Sequence, residues 1–327
     1  MLVKLFGFIG LSALVYLGGA FALILSQSPK RMSGAAGLDF GQQLEQPAKI
    51  SMERAYFTAR DGVELPTLHL KSGRENAPLL ILLHGSGWHG QQFDALAQNL
   101  VGVADILVPD LRGHGANPQR RGDVDYIGQY EDDLADLIKI YARKGQKVVL
   151  GGHSSGGGLV VRFAGGPHGE MIDGAILLAP FLKYNAPTTR QNSGGWAVPL
   201  TRRLIGLSML NAAHISALNH LVVMQFAMPQ LVLDGPLGQS ATLAYTHRLN
   251  ESYAPRAAYL QDVKALPDFL LIAGRKDEAF VADQFQPLMS AVTDKGRYHL
   301  VKGVSHLQIV DAPETLTQIT TFLERLK

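Results

Sequence analysis

The sequence predicts an α/β fold in which a mostly parallel central sheet is flanked by helices. Short apolar runs alternate along the chain with helical patterns, which implies parallel strands joined by crossover helices. The run at 79–83 is too short for a helix and is typical of a strand buried on both faces, and 269–274 is predicted to be another buried strand. With 327 residues, 46% of them hydrophobic, the chain can bury one large core of this kind and a smaller attachment.

The elements follow in order along the chain. The first two strands are predicted at 54–59 and 63–71, joined as a hairpin through Asp61 and Gly62. Further strands are predicted at 79–84, 105–109, 147–153 and 172–179, and from near Asp268. Helices are predicted near 91–101 and 126–143, from Ser155, and from Pro313.

The N-terminal segment, residues 1–28, is predicted to be a membrane anchor or signal segment. Residues Leu5 to Leu25 include no charged side chain, and as a helix this run would span about 30 Å, the thickness of a bilayer's hydrocarbon core. A signal peptide cleaved near Ala20 to Ala22 is the alternative, but the apolar run continues beyond that point and favours an uncleaved anchor. By analogy with simple signal anchors, we expect the folded domain outside the cytoplasm, or secreted if the segment is cleaved.

The remaining boundaries follow from composition and spacing. Residues 29–50 are rich in Ser, Gln, Gly and Pro, which predicts a linker. The core is predicted at 51–180 and 263–327. Between them, residues 181–262 exceed an ordinary crossover and predict a helical cap, with helices at 204–210 and 221–228.

Ser154 is the candidate nucleophile. A hydrophobic strand runs into Gly152-His153-Ser154-Ser155-Gly156, and such a tight strand-to-helix turn needs residues without side chains two before and two after the serine. The alternative is a chance glycine-rich turn in a chain with 35 glycines. A serine hydroxyl at the end of a sheet, above a helix N-terminus, suits covalent catalysis.

Two residues that complete a catalytic triad follow in the chain. Asp277 comes just after the strand at 269–274, and His306 lies in a loop before the last helix. His306 would take the proton of the serine, and Asp277 would orient the imidazole. The competitors are Glu278 for the acid and His299 for the base; His299 lies within a strand pattern, which counts against it.

The oxyanion donors are predicted to be the backbone amides of Ser86 and Ser155. The strand at 79–83 ends in a glycine-rich turn that can present an amide to a developing oxyanion, and the residue after the nucleophile supplies the second donor. The choice between Ser86 and Gly87 stays open at this point.

Together these segments resemble the α/β-hydrolase superfamily, most closely its serine-aminopeptidase-like, lysophospholipase and monoacylglycerol-lipase branch. The order of serine, acid and histidine fits that superfamily. The resemblance favours Asp277 over Glu278 and implies that Asp110 and Arg112 are structural. The matching segments are His84-Gly85, 110–115, 152–156, 274–277 and Ser305-His306.

Four residues are candidates for the substrate pocket. Trp88 follows the oxyanion turn, and Met209, Met224 and Met228 lie in the predicted cap, where adaptable methionine side chains suit flexible acyl chains. The alternative is that these residues only pack the cap onto the core.

The leading hypothesis is therefore a membrane-tethered serine hydrolase that cleaves small-molecule or lipid-derived carboxylic esters and needs no metal or organic cofactor. Peptidase, thioesterase or lactonase activity on the same triad and a non-catalytic membrane-tethered binding protein are the alternatives. A net charge of +2 without a basic tract argues against nucleic acid, and the absence of cysteine excludes thiol catalysis and disulfides. The sequence leaves the oligomeric state open.

Overall fold

The computed structural model describes residues 2–30, 32, 37–41 and 52–326. Two sheets and the helices around them make up this part of the chain. The strands are β1 Ala55–Thr58, β2 Glu64–Leu70, β3 Leu79–Leu83, β4 Asp105–Pro109, β5 Val148–His153, β6 Gly174–Leu178, β7 Ala197–Pro199, β8 Val222–Phe226, β9 Ala244–Thr246, β10 Asp268–Gly274 and β11 Gly296–Val301. The α-helices are α1 Leu2–Leu25, α2 Asp94–Leu100, α3 Gln129–Tyr141, α4 Ser155–Ala164, α5 Thr201–Ala212, α6 Gln230–Leu233, α7 His247–Tyr253, α8 Tyr259–Ala265, α9 Phe285–Ser290 and α10 Pro313–Arg325.

The main sheet has eight strands in the order β1-β2-β4-β3-β5-β6-β10-β11. The β1–β2 hairpin and the β2–β4 pair are antiparallel, and the six strands from β4 to β11 pair in parallel. Gly62 turns the hairpin with a φ of 82°, in the left-handed region that favours glycine. Strands β3, β4 and β6 are buried throughout, as their uninterrupted apolar sequences predict. The predicted fold class, a mostly parallel sheet flanked by helices, is confirmed.

The segment between β6 and β10 forms the cap, and it contains strands as well as helices. The predicted helix at 204–210 lies within α5. The predicted helix at 221–228 is wrong, because Val222–Phe226 is the central strand of a three-stranded antiparallel sheet with β7 and β9. An apolar run of this length suits a strand or a buried helix equally, and the neighbouring strands that decide between them are distant in sequence.

Helix α1 is docked on the cap through its C-terminal half. Ala20 and Ile24 are buried against α5, and a Cβ built on Gly206 would lie 2.5 Å from the carbonyl oxygen of Ala20. Gln27 accepts a hydrogen bond from the backbone N–H of Arg202 at 2.9 Å, at the start of α5. Much of the apolar surface of α1 remains exposed, and residues Phe6–Leu25 are long and apolar enough to cross a membrane, a test that signal sequences also pass.

The described part of the predicted linker, 29–50, is packed rather than loose. The side chain of Gln225 forms two hydrogen bonds with the backbone of Lys30, at 2.9 and 2.6 Å. Leu38 and Phe40 are buried in the main core. Two buried apolar side chains therefore dock a segment whose average composition is that of a tether. Residues 31, 33–36 and 42–50 lie outside the described residues.

Candidate active site

Ser154 lies in the tight turn between β5 and α4. Its φ of 55° and ψ of −119° fall outside the regions that side-chain-bearing residues ordinarily adopt. Backbone hydrogen bonds hold this conformation: the Ser154 N–H donates to Leu178, and its carbonyl oxygen accepts from Gly158 and Phe181, at 2.9 to 3.0 Å. The surrounding sheet and helix therefore sustain the strained conformation and project the serine from the C-terminal end of β5.

The glycines around Ser154 are required by close backbone contacts. A Cβ on Gly152 would lie 2.3 Å from the carbonyl carbon of Gly156, and one on Gly156 would lie 2.1 Å from the carbonyl oxygen of Leu83. Both distances are too short for any side chain. The spacing in the motif thus has the steric cause that the sequence suggested.

Asp277 and His306 are brought together by the ends of two neighbouring parallel strands. Asp277 follows β10, His306 follows β11, and Asp277 Oδ2 lies 2.8 Å from His306 Nδ1. The other carboxylate oxygen accepts the N–H groups of Ala279 and Phe280, at 2.8 and 2.7 Å. Because the carboxylate accepts from Nδ1–H, the imidazole keeps Nε2 as its basic nitrogen.

Glu278, the competing acid, has a different position. Its Oε2 accepts the backbone N–H of His306 at 2.9 Å, so it contacts the histidine loop but not the imidazole. His299, the competing base, lies in β11 and is paired with Ile272 in the register of the sheet. Neither competitor forms a carboxylate–imidazole contact like the one between Asp277 and His306.

A hydrogen-bonded chain links the nucleophile turn to the histidine loop. His153 Nε2 lies 2.9 Å from the carbonyl oxygen of His306, and His153 Nδ1 lies 3.2 Å from Nε2 of Gln92. The Oε1 of Gln92 accepts the N–H of Gly85 at 3.1 Å. Burial lowers the pKa of His153 well below its ordinary value, so the ring is neutral, donates from Nε2 and accepts at Nδ1.

The turn at 84–87 lies beside Ser154. A Cβ on Gly85 would be 3.4 Å from the Cβ of Ser154. The Gly87 N–H donates to the hydroxyl of Tyr245 at 2.7 Å, whereas the Ser86 N–H has no acceptor within the described part of the chain. Of the two amides left open by the sequence, Ser86 is the one available to an oxyanion.

The amide of Ser155 is available for a different reason. Ser155 is the first residue of α4, and the first amides of a helix have no intrahelical acceptor. Its N–H has no acceptor within the described residues, as a second oxyanion donor would require. The hydroxyl of Ser154 likewise has no hydrogen-bond partner among the residues that the structure describes, which leaves it free to approach a substrate.

The candidate pocket residues are divided between two regions. Trp88 is half-buried, stacked on His89 with ring centroids 5.1 Å apart, and packs against the main core. Met228 is also buried there, and Met224 contacts both that core and the cluster around α1. Met209, on α5, packs with Ala20, Ile24 and their neighbours, so its contacts are with the N-terminal helix.

Sequence reasoning missed several residues around the site. Trp196 of the cap donates from Nε1 to Ser86 Oγ at 3.3 Å, and Tyr245 binds the next residue of the turn. No local pattern marks either residue, because both reach the turn through the tertiary fold. Local signals exist for the other two residues, because His153 lies within the motif at 152–156 and Gln92 follows the turn at 84–87 by five residues.

Asp110 and Arg112 have the structural roles that the resemblance implied. Asp110 accepts the N–H of Gly90 at 2.8 Å. Arg112 is buried and forms ion pairs with Asp61 and Asp133, at 2.9 and 2.8 Å. These contacts tie the hairpin turn and α3 to the segment after β4.

Comparison with known proteins agrees with this architecture. Residues 74–312 match the family described as serine aminopeptidase, S33. A 104-residue segment, 32% of this chain, is 28% identical to an uncharacterized protein of Mycobacterium bovis and spans 29% of that relative's length.

Three solved structures share the fold at low identity. A proposed aryl esterase from Burkholderia cenocepacia has a TM-score of 0.60 and 21% identity, covering 84% of this chain and 99% of that one. A monoglyceride lipase from Saccharomyces cerevisiae has a TM-score of 0.63 and 15% identity, with coverages of 92% and 99%. A membrane phospholipase A has a TM-score of 0.58 and 16% identity, with coverages of 100% and 99%.

Identities this low show the fold alone, whereas the family match extends over most of the chain. That match includes the strands that carry Ser154 and Asp277 and the loop that carries His306. The chain therefore belongs to the serine aminopeptidase S33 family of α/β-hydrolases.

Proposed function

We propose that this protein is a membrane-associated serine hydrolase that cleaves carboxylic esters with Ser154, His306 and Asp277. The observation that carries the proposal is the contact between Asp277 Oδ2 and His306 Nδ1. His306 is in turn hydrogen-bonded to His153, the residue before a strained serine whose hydroxyl has no partner among the described residues. The family match and the esterase and lipase structures that share the fold support a hydrolase of this class.

The proposed reaction proceeds through an acyl-enzyme. Ser154 Oγ attacks the ester carbonyl while Nε2 of His306 takes the hydroxyl proton, and the same proton then passes to the departing alcohol. Asp277 stabilises the imidazolium that forms in between. The amides of Ser86 and Ser155 stabilise the oxyanion, and a water deprotonated by His306 releases the acid.

We propose that α1 is retained as an anchor rather than removed as a signal peptide. Cleavage after Ala22 would remove Ala20, which is completely buried against the cap, and would divide a helix whose C-terminal half packs on α5. The exposed apolar side chains of the same helix, including Phe6 and Leu14, are suited to lipid. An extracytoplasmic catalytic domain is the accompanying expectation.

An anchored enzyme meets apolar substrates at the membrane, so lipid-derived esters are the substrate class that we favour. The apolar side chains of Trp88, Met224 and Met228 are the residues that we propose for an acyl pocket. Two proteins that share the fold are described as a monoglyceride lipase and a membrane phospholipase A, which supports the same class.

The test uses the full-length, detergent-solubilised protein and p-nitrophenyl esters with acyl chains of increasing length. We expect turnover with an optimum at an intermediate or long chain, abolished in Ser154→Ala. A fluorophosphonate probe should label the wild-type protein at Ser154 and should not label the variant.

The matched control is Ser290→Ala, which removes an exposed hydroxyl at the end of α9. Ester turnover that persists in Ser154→Ala would refute the proposal. Probe labelling without ester turnover would redirect the substrate search to amides and thioesters. An absence of both would favour the binding-protein alternative.

A further inference from the structure

We propose that Tyr245 and Tyr253, two tyrosines of the cap, are positioning residues that set the oxyanion turn for catalysis. The inference rests on the proposed function and concerns how the donor amide of Ser86 is held. Neither tyrosine touches the reacting atoms; both act through the backbone of residues 84–87.

The turn is held by the cap at four points. The N–H of Gly87 donates to the hydroxyl of Tyr245 at 2.7 Å, and its carbonyl oxygen accepts the N–H of Thr242 at 3.0 Å. Trp196 Nε1 donates to Ser86 Oγ at 3.3 Å. The hydroxyl of Tyr253 donates to the carbonyl oxygen of His84. The cap therefore contacts the turn through specific polar groups as well as apolar packing.

The proton positions around Tyr245 follow from its partners. Because its oxygen accepts the Gly87 N–H, its own proton goes to Nε2 of His114, 2.7 Å away. His114 must then carry its proton on Nδ1, which lies 3.1 Å from the carbonyl oxygen of Arg112. Burial lowers the pKa of His114 well below its ordinary value, so this neutral tautomer is the stable form.

These bonds fix the Ser86 amide from both sides. The Nδ1 of His84 donates to the carbonyl oxygen of Gly85 at 2.9 Å, and since the peptide bond is trans, the Ser86 N–H points away from that contact. The following peptide, between Ser86 and Gly87, is held by Tyr245. Gly87 has a φ of 75° and, as a glycine, would otherwise be free to rotate this peptide.

Tyr245 also removes a competing donor. With the Gly87 amide bound to the tyrosine hydroxyl, the Ser86 amide is the one in the turn that remains for an oxyanion. Catalysis by such a donor depends on its being oriented before the charge develops, and a small displacement of a reacting group lowers the rate strongly. The hydroxyl of a buried cap residue thus controls the rate of chemistry without contacting the substrate.

The test compares Tyr245→Phe with the wild-type protein and with Tyr298→Phe. The control removes a buried hydroxyl of β11 that lacks a hydrogen-bond partner in the described part of the chain. We expect Tyr245→Phe to lower kcat by about tenfold to a hundredfold with KM changed by less than about twofold. Labelling by the fluorophosphonate should slow in parallel, because charge develops on the same oxygen position. Tyr298→Phe should match the wild type.

The melting temperature of each variant separates positioning from a merely structural role. An unchanged kcat in folded Tyr245→Phe overturns the inference. A lowered kcat that returns to the wild-type value once it is corrected for the fraction of folded protein overturns it as well. If Tyr245→Phe does not fold, Tyr253→Phe decides instead: the inference requires a lower kcat at unchanged KM and fails if kcat is unchanged. Turnover that persists in Ser154→Ala would refute the proposed function itself, which is a distinct result.

Discussion

The Nε2 of His153 lies 2.9 Å from the backbone carbonyl oxygen of His306, and the two rings pack with centroids 4.6 Å apart. The residue before the candidate nucleophile therefore holds the loop that carries the candidate base. Through Gln92, the same hydrogen-bonded chain reaches the oxyanion turn at Gly85. The side chains of His153 and Gln92 thus hold three segments that are distant in sequence at fixed positions relative to one another, without a chemical role of their own.

Replacing Gln92 with Leu should lower kcat by about tenfold, because both the Gly85 N–H and His153 Nδ1 lose their partner and the segments they connect loosen. Steady-state kinetics on the preferred ester measures the change. The control is Asn99→Ala in the neighbouring helix α2, whose amide donates to the exposed backbone carbonyl of Ala95. Equal kcat values for the two variants would contradict the coupling.

Asp277→Asn should lower kcat by about 10³ to 10⁴, because an amide can no longer both orient the imidazole and stabilise its charged form. Glu278→Gln should lower kcat less than about tenfold, since its contact is with the backbone N–H of His306. Pre-steady-state acylation rates for the two variants measure the difference. A larger loss for Glu278→Gln would mean that the acid has been assigned to the wrong carboxylate.

Gly206→Leu should separate α1 from the cap, because a Cβ at this position would lie 2.5 Å from Ala20 O and 2.7 Å from Ile24 Cγ1. The natural chain has no cysteine, so a single Ala20→Cys reports on the contact by its rate of maleimide labelling. We expect slow labelling in the parent and fast labelling once Gly206→Leu is added. Gly102→Leu, where a Cβ meets nothing within 4 Å, is the control. Slow labelling in all three proteins would contradict the docked arrangement.

His89→Phe should reduce the loss of stability in mild acid. Burial lowers the pKa of His89 to about 4, and its Nε2 has no partner in the described part of the chain. Between pH 6.5, about the pKa of His89 in the unfolded chain, and a pH of about 4, the unfolded chain binds a proton that the folded chain does not bind. The free energy of unfolding therefore falls as the pH falls.

Removing this histidine should flatten the slope by up to about 1.4 kcal/mol per pH unit, while phenylalanine preserves the stacking on Trp88. Urea unfolding at pH 7 and pH 5 measures the slope. His220→Phe, at an exposed position, serves as the control. Equal slopes for wild type and His89→Phe would show that another group governs the acid response.

The positions of the core strands along the chain and the candidate triad residues were predictable because their signals are local. Strands buried on both faces are continuous apolar runs, and the glycines beside Ser154 are imposed by contacts of 2.1 to 2.3 Å that any side chain would create. Asp277 and His306 follow adjacent parallel strands, so the fold itself brings their loops to the same, C-terminal end of the sheet.

The cap and the segment before the core show where local signals end. Val222–Phe226 is a strand only because β7 and β9 pair with it, and Phe40 is buried because the rings of Trp88 and Trp196 meet it from different parts of the chain. Neither outcome follows from the composition of the segment concerned. Pairing partners and packing surfaces that are distant in sequence decide both.

The sequence by itself determined the fold class, the sharp turn at Ser154 and the order of the three candidate catalytic residues, since steric limits and apolar periodicity act over a few residues. The tertiary structure alone decided that Ser86 rather than Gly87 has the free amide, because a hydroxyl from Tyr245, more than 150 residues later in the chain, occupies the other one. It also decided that Met209 packs against α1, because the N-terminal helix docks on α5.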